Sequence, residues 1–129
     1  MSKGPHHSSG NFVRWELMTK ASAPACHFYG ELCGWQTADE ETPDGLIYSH
    51  IMRGERKIGG IYAMSPELAV RPAAPHWLPY IGVSDVDQAL AEAKSIGAKV
   101  TAESFEFAGL GRMALLIDPT GAPFGLWQD

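Results

Sequence analysis

Glu16 follows Arg14 by two residues in the segment Asn11–Met18, NFVRWELM. The alternation there sets Val13, Trp15 and Leu17 on one face of a strand and Arg14, Glu16 and Met18 on the other. A carboxylate facing a cavity can act as a general base or hydrogen-bond a ligand. The same spacing also lets Glu16 neutralise Arg14 as a structural pair, and both readings stand. His50, inside LIYSHIM with Met52 two residues on, has two readings as well: a proton shuttle or metal ligand, or a satisfied histidine on the sheet surface. Glu16 and His50 are the candidate catalytic residues, and Met18 and Met52 are candidate ligand contacts. His76, at a strand start, and His27, in a helix, read as solvent-facing.

Cys26 and Cys33 lie seven residues apart in a helical stretch. Two helical turns separate their α-carbons by about 10 Å, too far for a disulfide. They read as reduced core residues of a cytoplasmic protein, not as a redox or metal pair. The string GLGR (109–112) lacks the Lys-Ser/Thr ending of a phosphate cradle and precedes a strand. It reads as a turn at a cavity mouth, with Arg112 an anion contact. Trp15 is expected in the core against the first helix. Leu78 and Tyr80 share one strand parity, and Trp127 shares the parity of Gly125, so these side chains are expected to face the cavity. Flat rings on a concave sheet suit a planar apolar ligand, or they fill the space themselves.

These residues need elements to position them. The chain has 129 residues, 45% apolar and 19% charged, which fits one globular domain. Its first half reads as a strand at 11–18, a helix from Ser22 to the stop Gly34, a short strand at 35–37, a turn-rich loop at Thr42–Gly45, and strands at 46–52 and 57–64. Residues 66–75 carry three prolines and read as a linker. The second half repeats the order: a strand at 76–83, a helix starting at Ser84 and ending at Gly97, then strands at 98–103, 112–117 and 122–127. Phe105–Gly111 reads as a loop or weak strand, and Asp118-Pro119-Thr120-Gly121 is a turn. Ala89, Leu90, Ala93 and Ile96 form the apolar stripe of that second helix. The two halves match at an offset of about 62 to 63 residues, as an internal duplication does. The expected fold is α+β: two βαβββ modules (11–65 and 76–129) forming a curved mixed β-sheet around a shared cavity, after a flexible leader (1–10).

The net charge of −5, with no basic cluster beyond Arg53–Arg56–Lys57, argues against nucleic acid. No apolar run is long enough to span a bilayer as a helix, so no membrane partner is expected.

Three ordered strings carry a resemblance: WELMT with CHFYGELCGW, HWLPYIGVSDVDQAL with KSIGAKV, and GLGRMALLIDPTGAPFGLW. Together they resemble the vicinal oxygen chelate superfamily, which includes glyoxalases, bleomycin-resistance proteins and extradiol dioxygenases. The resemblance implies the same paired fold and a homodimer. It also implies a divalent ion held by four inward residues, one from the first and last strand of each module. Carried over, those positions fall on Arg14, Gly60, Leu78 and Gly125, none of which can ligate a cation through its side chain. A shift of register would bring Glu16 or His76 forward instead. No cofactor is therefore expected, with a divalent metal as the alternative. The function expected is small-molecule binding, the ligand apolar or aromatic and touching Arg14, Met18, Met52, Leu78, Tyr80, Arg112 and Trp127. The alternative is a lyase, isomerase or dioxygenase using Glu16, His50 or both.

Overall fold

Period-two alternation, interrupted twice by a helix, produces ten elements in a computed structural model that describes residues 10–41, 47–64, 74–107 and 111–129. They are β1 (Phe12–Thr19), α1 (Ser22–Cys33), β2 (Gln36–Glu41), β3 (Ile47–Arg53), β4 (Arg56–Ala63), β5 (His76–Gly82), α2 (Val86–Ser95), β6 (Lys99–Phe107), β7 (Gly111–Ile117) and β8 (Pro123–Gln128). The strands make one curled sheet in the order β2-β3-β4-β1-β5-β8-β7-β6. In each module the first strand pairs in parallel with the last, β1 with β4 and β5 with β8. An antiparallel β1–β5 seam joins the modules. The expected α+β fold of two βαβββ units is thus the one observed. Residues 1–9 of the leader, the loop at 42–45 and most of the 66–75 linker lie outside the described residues. No described helix is long and apolar enough to cross a membrane.

The turns form where their residues require them. Gly34 closes α1 in the left-handed region (φ 72°), its N–H donating to the Gly30 carbonyl at 3.0 Å. Gly54, also at positive φ, turns β3 into β4. The Asp118 carboxylate accepts from the Thr120 N–H and hydroxyl and from the Ala122 N–H, and these bonds hold its pKa low.

Several expectations are corrected. Asp85, not Ser84, caps α2: its extended backbone lets its side chain accept from the Gln88 N–H at 3.1 Å. The residue before Ser22, Ala21, has no side chain to cap α1, and its N–H instead donates to Thr19 Oγ1. β2 runs to Glu41 because ladder hydrogen bonds to β3 do not depend on side-chain polarity. β6 reaches Phe107, where a loop or weak strand is expected, because two register shifts let Phe105 and Phe107 turn inward. Ile96 ends outside the stripe, exposed at the C-cap of α2. Cys33 is exposed and Cys26 half-buried, since α1 shows the sheet only Ala25, Cys26 and Tyr29; both thiols are free.

The sheet carries apolar clusters on both faces. On the helix side, α2 lays Val86, Ala89 and Leu90 on Ala114, Leu116 and Leu126. Leu17, Ile51 and Ile61 pack with Tyr29, Trp35 and Trp77 near α1. Trp15 is 47% exposed and not a core residue, because α1 packs over β4 and β2 and leaves that part of β1 uncovered. The concave face holds Met18, Tyr48, Tyr62, Leu78, Tyr80, Phe107, Met113, Leu115 and Trp127, drawn from both modules. Burying each such side chain contributes about 1.5–3 kcal/mol, so this face acts as a core.

Candidate functional site

The strand register fixes what stands at the centre of the concave face. Glu16 pairs across to Gly60 on β4, and Tyr80 pairs across to Gly125 on β8. The residues facing the two symmetry-related glycines are therefore Glu16 and Tyr80. Arg14 and Leu78, the carried-over positions, stand two residues away along each strand. Neither glycine leaves an opening. A Cβ on Gly60 would overlap the hydroxyl and ring of Tyr48, and a Cβ on Gly125 would overlap the ring of Tyr80. The aromatic rings fill the space that the two inward glycines leave.

Those rings end on Glu16. The Tyr48 hydroxyl donates to Glu16 Oε2 and the Tyr80 hydroxyl to Oε1, each at 2.8 Å. Arg14 Nη2 donates to the Tyr48 oxygen, and Arg14 Nε lies 3.6 Å from Glu16 Oε2, beyond hydrogen-bond reach. The guanidinium sits over the Trp127 ring, 4.6 Å from its centroid, a cation–π contact. Glu16 is wholly buried, and only Arg14, 14% exposed, reaches toward solvent.

Burial pushes the Glu16 carboxyl above its usual range, although Arg14 and both hydroxyls pull it back. Burial and the Glu16 charge hold both tyrosines well above theirs, so they remain donors. Burial alone would lower Arg14, but Tyr48 and Glu16 outweigh it and keep it charged. The result is a buried network in which Arg14 reaches Glu16 by hydrogen bonds only through the Tyr48 hydroxyl, and each Glu16 oxygen is occupied by a hydroxyl.

A divalent ion does not fit this arrangement. The four central positions offer one carboxylate, one phenol and two glycines, and Arg14 brings a positive charge beside them. Among the described residues there is no group of three or more His, Cys, Asp or Glu side chains that could hold a metal. His50 does not complete one. It is buried rather than on the sheet surface, its Nε2 is 2.9 Å from Glu40 Oε1 on the neighbouring edge strand, and its Nδ1 has no hydrogen-bond partner. Glu16 and His50 share the concave face across Gly60 but bond to different partners.

The other candidates are distributed as follows. Met18, Leu78, Tyr80 and Trp127 all belong to the concave core. Met52 is half-buried beyond a register shift, outside that cluster. Arg112 shares the parity of Ala114 and Leu116 on the helix side of the sheet, donating to Ser104 Oγ at 2.8 Å and lying 3.6 Å from Asp87 of α2, so it does not face the concave cluster as expected. His76 is half-buried, its Nδ1 2.7 Å from the Ala74 carbonyl, while His27 is exposed. Tyr48 was not among the candidates. Its signal was available: it shares strand parity with His50, on the face where Gly60 leaves room.

Two βαβββ modules sharing a curled sheet, with paired central positions on its concave face, define a domain of the vicinal oxygen chelate class. Residues 16–127 match the family described as "Glyoxalase-like domain", and the chain belongs to that family. Among curated proteins it is 35% identical over 129 residues to "Putative glyoxylase CFP32" of Mycobacterium tuberculosis, covering 99% of this chain and 49% of that one. It is 25% identical over 124 residues to "Anthracycline biosynthesis protein DnrV" of Streptomyces peucetius, covering 88% and 45%. The chain spans about half the length of these relatives. Methylmalonyl-CoA epimerase from Mycobacterium tuberculosis shares the fold, with a TM-score of 0.63 at 15% identity over 93% of this chain and 88% of that one.

Proposed function

We propose that this chain is a ligand-binding glyoxalase-like domain that works without the divalent ion of its superfamily and holds a flat, largely apolar molecule beside Trp127. The observation that carries this reading is the closure of the concave centre. Tyr48 and Tyr80 lie over the two glycines and take both oxygens of Glu16. The ligand then belongs at the edge of that network. A cleft of about 340 Å³ opens there, bounded by Trp127, Val13, Val83, Ser84, Gln128 and Asp129. It combines an indole wall with a few polar groups, the usual composition of a small-molecule site. Behind the indole, Arg14 offers charge to a polar substituent. The Streptomyces relative is named for anthracycline biosynthesis, which supports a polycyclic aromatic ligand.

The test is a fluorescence titration with anthraquinone-2-carboxylate in the presence of EDTA. Saturable one-to-one binding is expected, weakened at least about tenfold (1.4 kcal/mol) by Trp127→Ala and by Arg14→Gln. Binding that needs a divalent ion, or that ignores both substitutions, would contradict the proposal.

A second reading rests on Glu16 alone. A wholly buried carboxylate with a raised pKa is poised to take a proton. That reading makes the chain a lyase or isomerase using Glu16 as base. It requires Glu16→Gln to abolish turnover while leaving probe binding intact.

A further inference from the structure

On the helix side of the sheet, away from Glu16, three of the four tryptophans in the sequence bound one open groove of about 430 Å³. Trp15, Trp35 and Trp77 form its walls with Ile51 and Ile58, and Gly59, buried and without a side chain, gives its floor. The volume is in the usual range of small-molecule sites, about 300–1,000 Å³. Among the described residues, no charged side chain lines these walls. The corresponding part of module two differs. There α2 buries three residues, where α1 buries none, and leaves a cleft of only about 180 Å³.

The walls are set against a flat occupant. The rings of Trp35 and Trp77 stand 83° apart with centroids 6.1 Å from each other, and Tyr29 already covers one face of Trp35 at 5.4 Å. Crossed rings cannot sandwich a planar system between two faces, whereas a saturated chain bends to follow them. One end of the groove is charged. Arg53 shares the β3 face of Ile51, two residues or about 7 Å along the strand. Its Nη1 donates to the Cys33 carbonyl at 3.4 Å, at the end of α1 and just before Trp35. A register shift at Ile51/Met52 sets Arg56 directly opposite Arg53. Like charges so placed repel each other. Among the described residues neither arginine has an ion-pair partner, and Glu55, in the turn between them, pairs with neither. An anion at this end relieves the repulsion, and the guanidinium fork matches a carboxylate.

We propose that this groove is a second ligand site, for an unbranched aliphatic carboxylate. The chain of the ligand lies against Trp15, Trp35 and Trp77, and its carboxylate meets Arg53 and Arg56. The groove shares no lining residue with the cleft beside Trp127. The two sites are therefore independent, and this one does not rest on the reading of Glu16 and its tyrosines.

Calorimetric titration of the full chain with decanoate at neutral pH, below its micelle concentration, tests it. One decanoate per chain is expected, with a change in tryptophan emission. Hexanoate should bind at least about tenfold more weakly, because it buries fewer methylenes. 1-Decanol should also bind at least about tenfold more weakly than decanoate. Arg53→Gln combined with Arg56→Gln, both at exposed positions of the hairpin end, should abolish that preference for the anion and leave 1-decanol binding unchanged. Arg53→Lys combined with Arg56→Lys should restore part of the preference. Trp15→Ala should weaken both ligands, with far-UV circular dichroism unchanged in every variant. Decanoate that fails to bind overturns the proposal, as does an affinity that ignores the arginines or Trp15. So does displacement of decanoate by anthraquinone-2-carboxylate, which would put both ligands in the cleft beside Trp127. Two further results would assign the groove to another occupant and overturn the proposal as well. One is binding to phosphatidylglycerol vesicles that Trp15→Ala abolishes. The other is self-association that Trp15→Ala abolishes and decanoate leaves intact.

Discussion

Glu16 is wholly buried, and its carboxylate form is stabilised by the two hydroxyls and the guanidinium that surround it. Each hydroxyl bond to this charged acceptor is worth about 1.5–3 kcal/mol. Tyr48→Phe and Tyr80→Phe should each destabilise the fold by that amount in urea melts, and the double variant should be non-additive because both act on one carboxylate. The pH dependence follows from the raised Glu16 pKa. The folded chain binds this proton more tightly than the unfolded one. The Glu16 contribution to stability therefore rises as pH falls through the folded pKa and levels off below the unfolded value. Glu16→Gln lacks that titration, so the stability of the wild type relative to the variant should grow as pH falls from neutrality toward 4.5, followed by melting temperature. Arg14, Glu16, Tyr80 and Trp127 were all legible from strand parity. Their bonding was not, because parity gives a face but not which side chains meet across it. Tyr48 reaches Glu16 from two strands away, over a glycine.

At the scale of elements, the two glycines of the last strands are where packing is least forgiving. Gly60→Ala and Gly125→Ala should each cost about 1–3 kcal/mol or more, because Cβ meets a tyrosine ring that has no empty space to enter. Shortening Tyr48 to Leu should recover part of the Gly60→Ala loss but none of the Gly125→Ala loss; urea denaturation of the two double variants separates these outcomes. Asp85→Ala should cost about 1 kcal/mol by removing the cap of α2. The order of elements along the chain, both helices and the turns at Gly34, Gly54 and Asp118 could be read from the sequence because each has a local cause. The lengths of β2 and β6 could not. Gln36–Glu41 is polar throughout and is a strand only because β3 offers it a ladder. Trp15 was misplaced for a related reason: alternation identifies the helix-side face of β1, but not how far α1 extends over it.

The whole molecule is one sheet with a core fed by both modules. Met18, Tyr48 and Tyr62 come from the first, and Leu78, Tyr80, Phe107, Met113, Leu115 and Trp127 from the second. Neither module can bury its concave face alone, so unfolding followed by far-UV circular dichroism and by tryptophan fluorescence should coincide in one transition. The duplication that fixes this architecture also fixes its four central positions, and there the chain has Glu16, Gly60, Tyr80 and Gly125, closed by Tyr48. Function without a divalent ion is the central claim, and calorimetric titration of the purified chain with Mn²⁺ and Zn²⁺ tests it most directly. No binding tighter than about 1 mM, some 4 kcal/mol, is expected for either ion. One ion per chain at micromolar affinity, lost in Glu16→Gln, would contradict it.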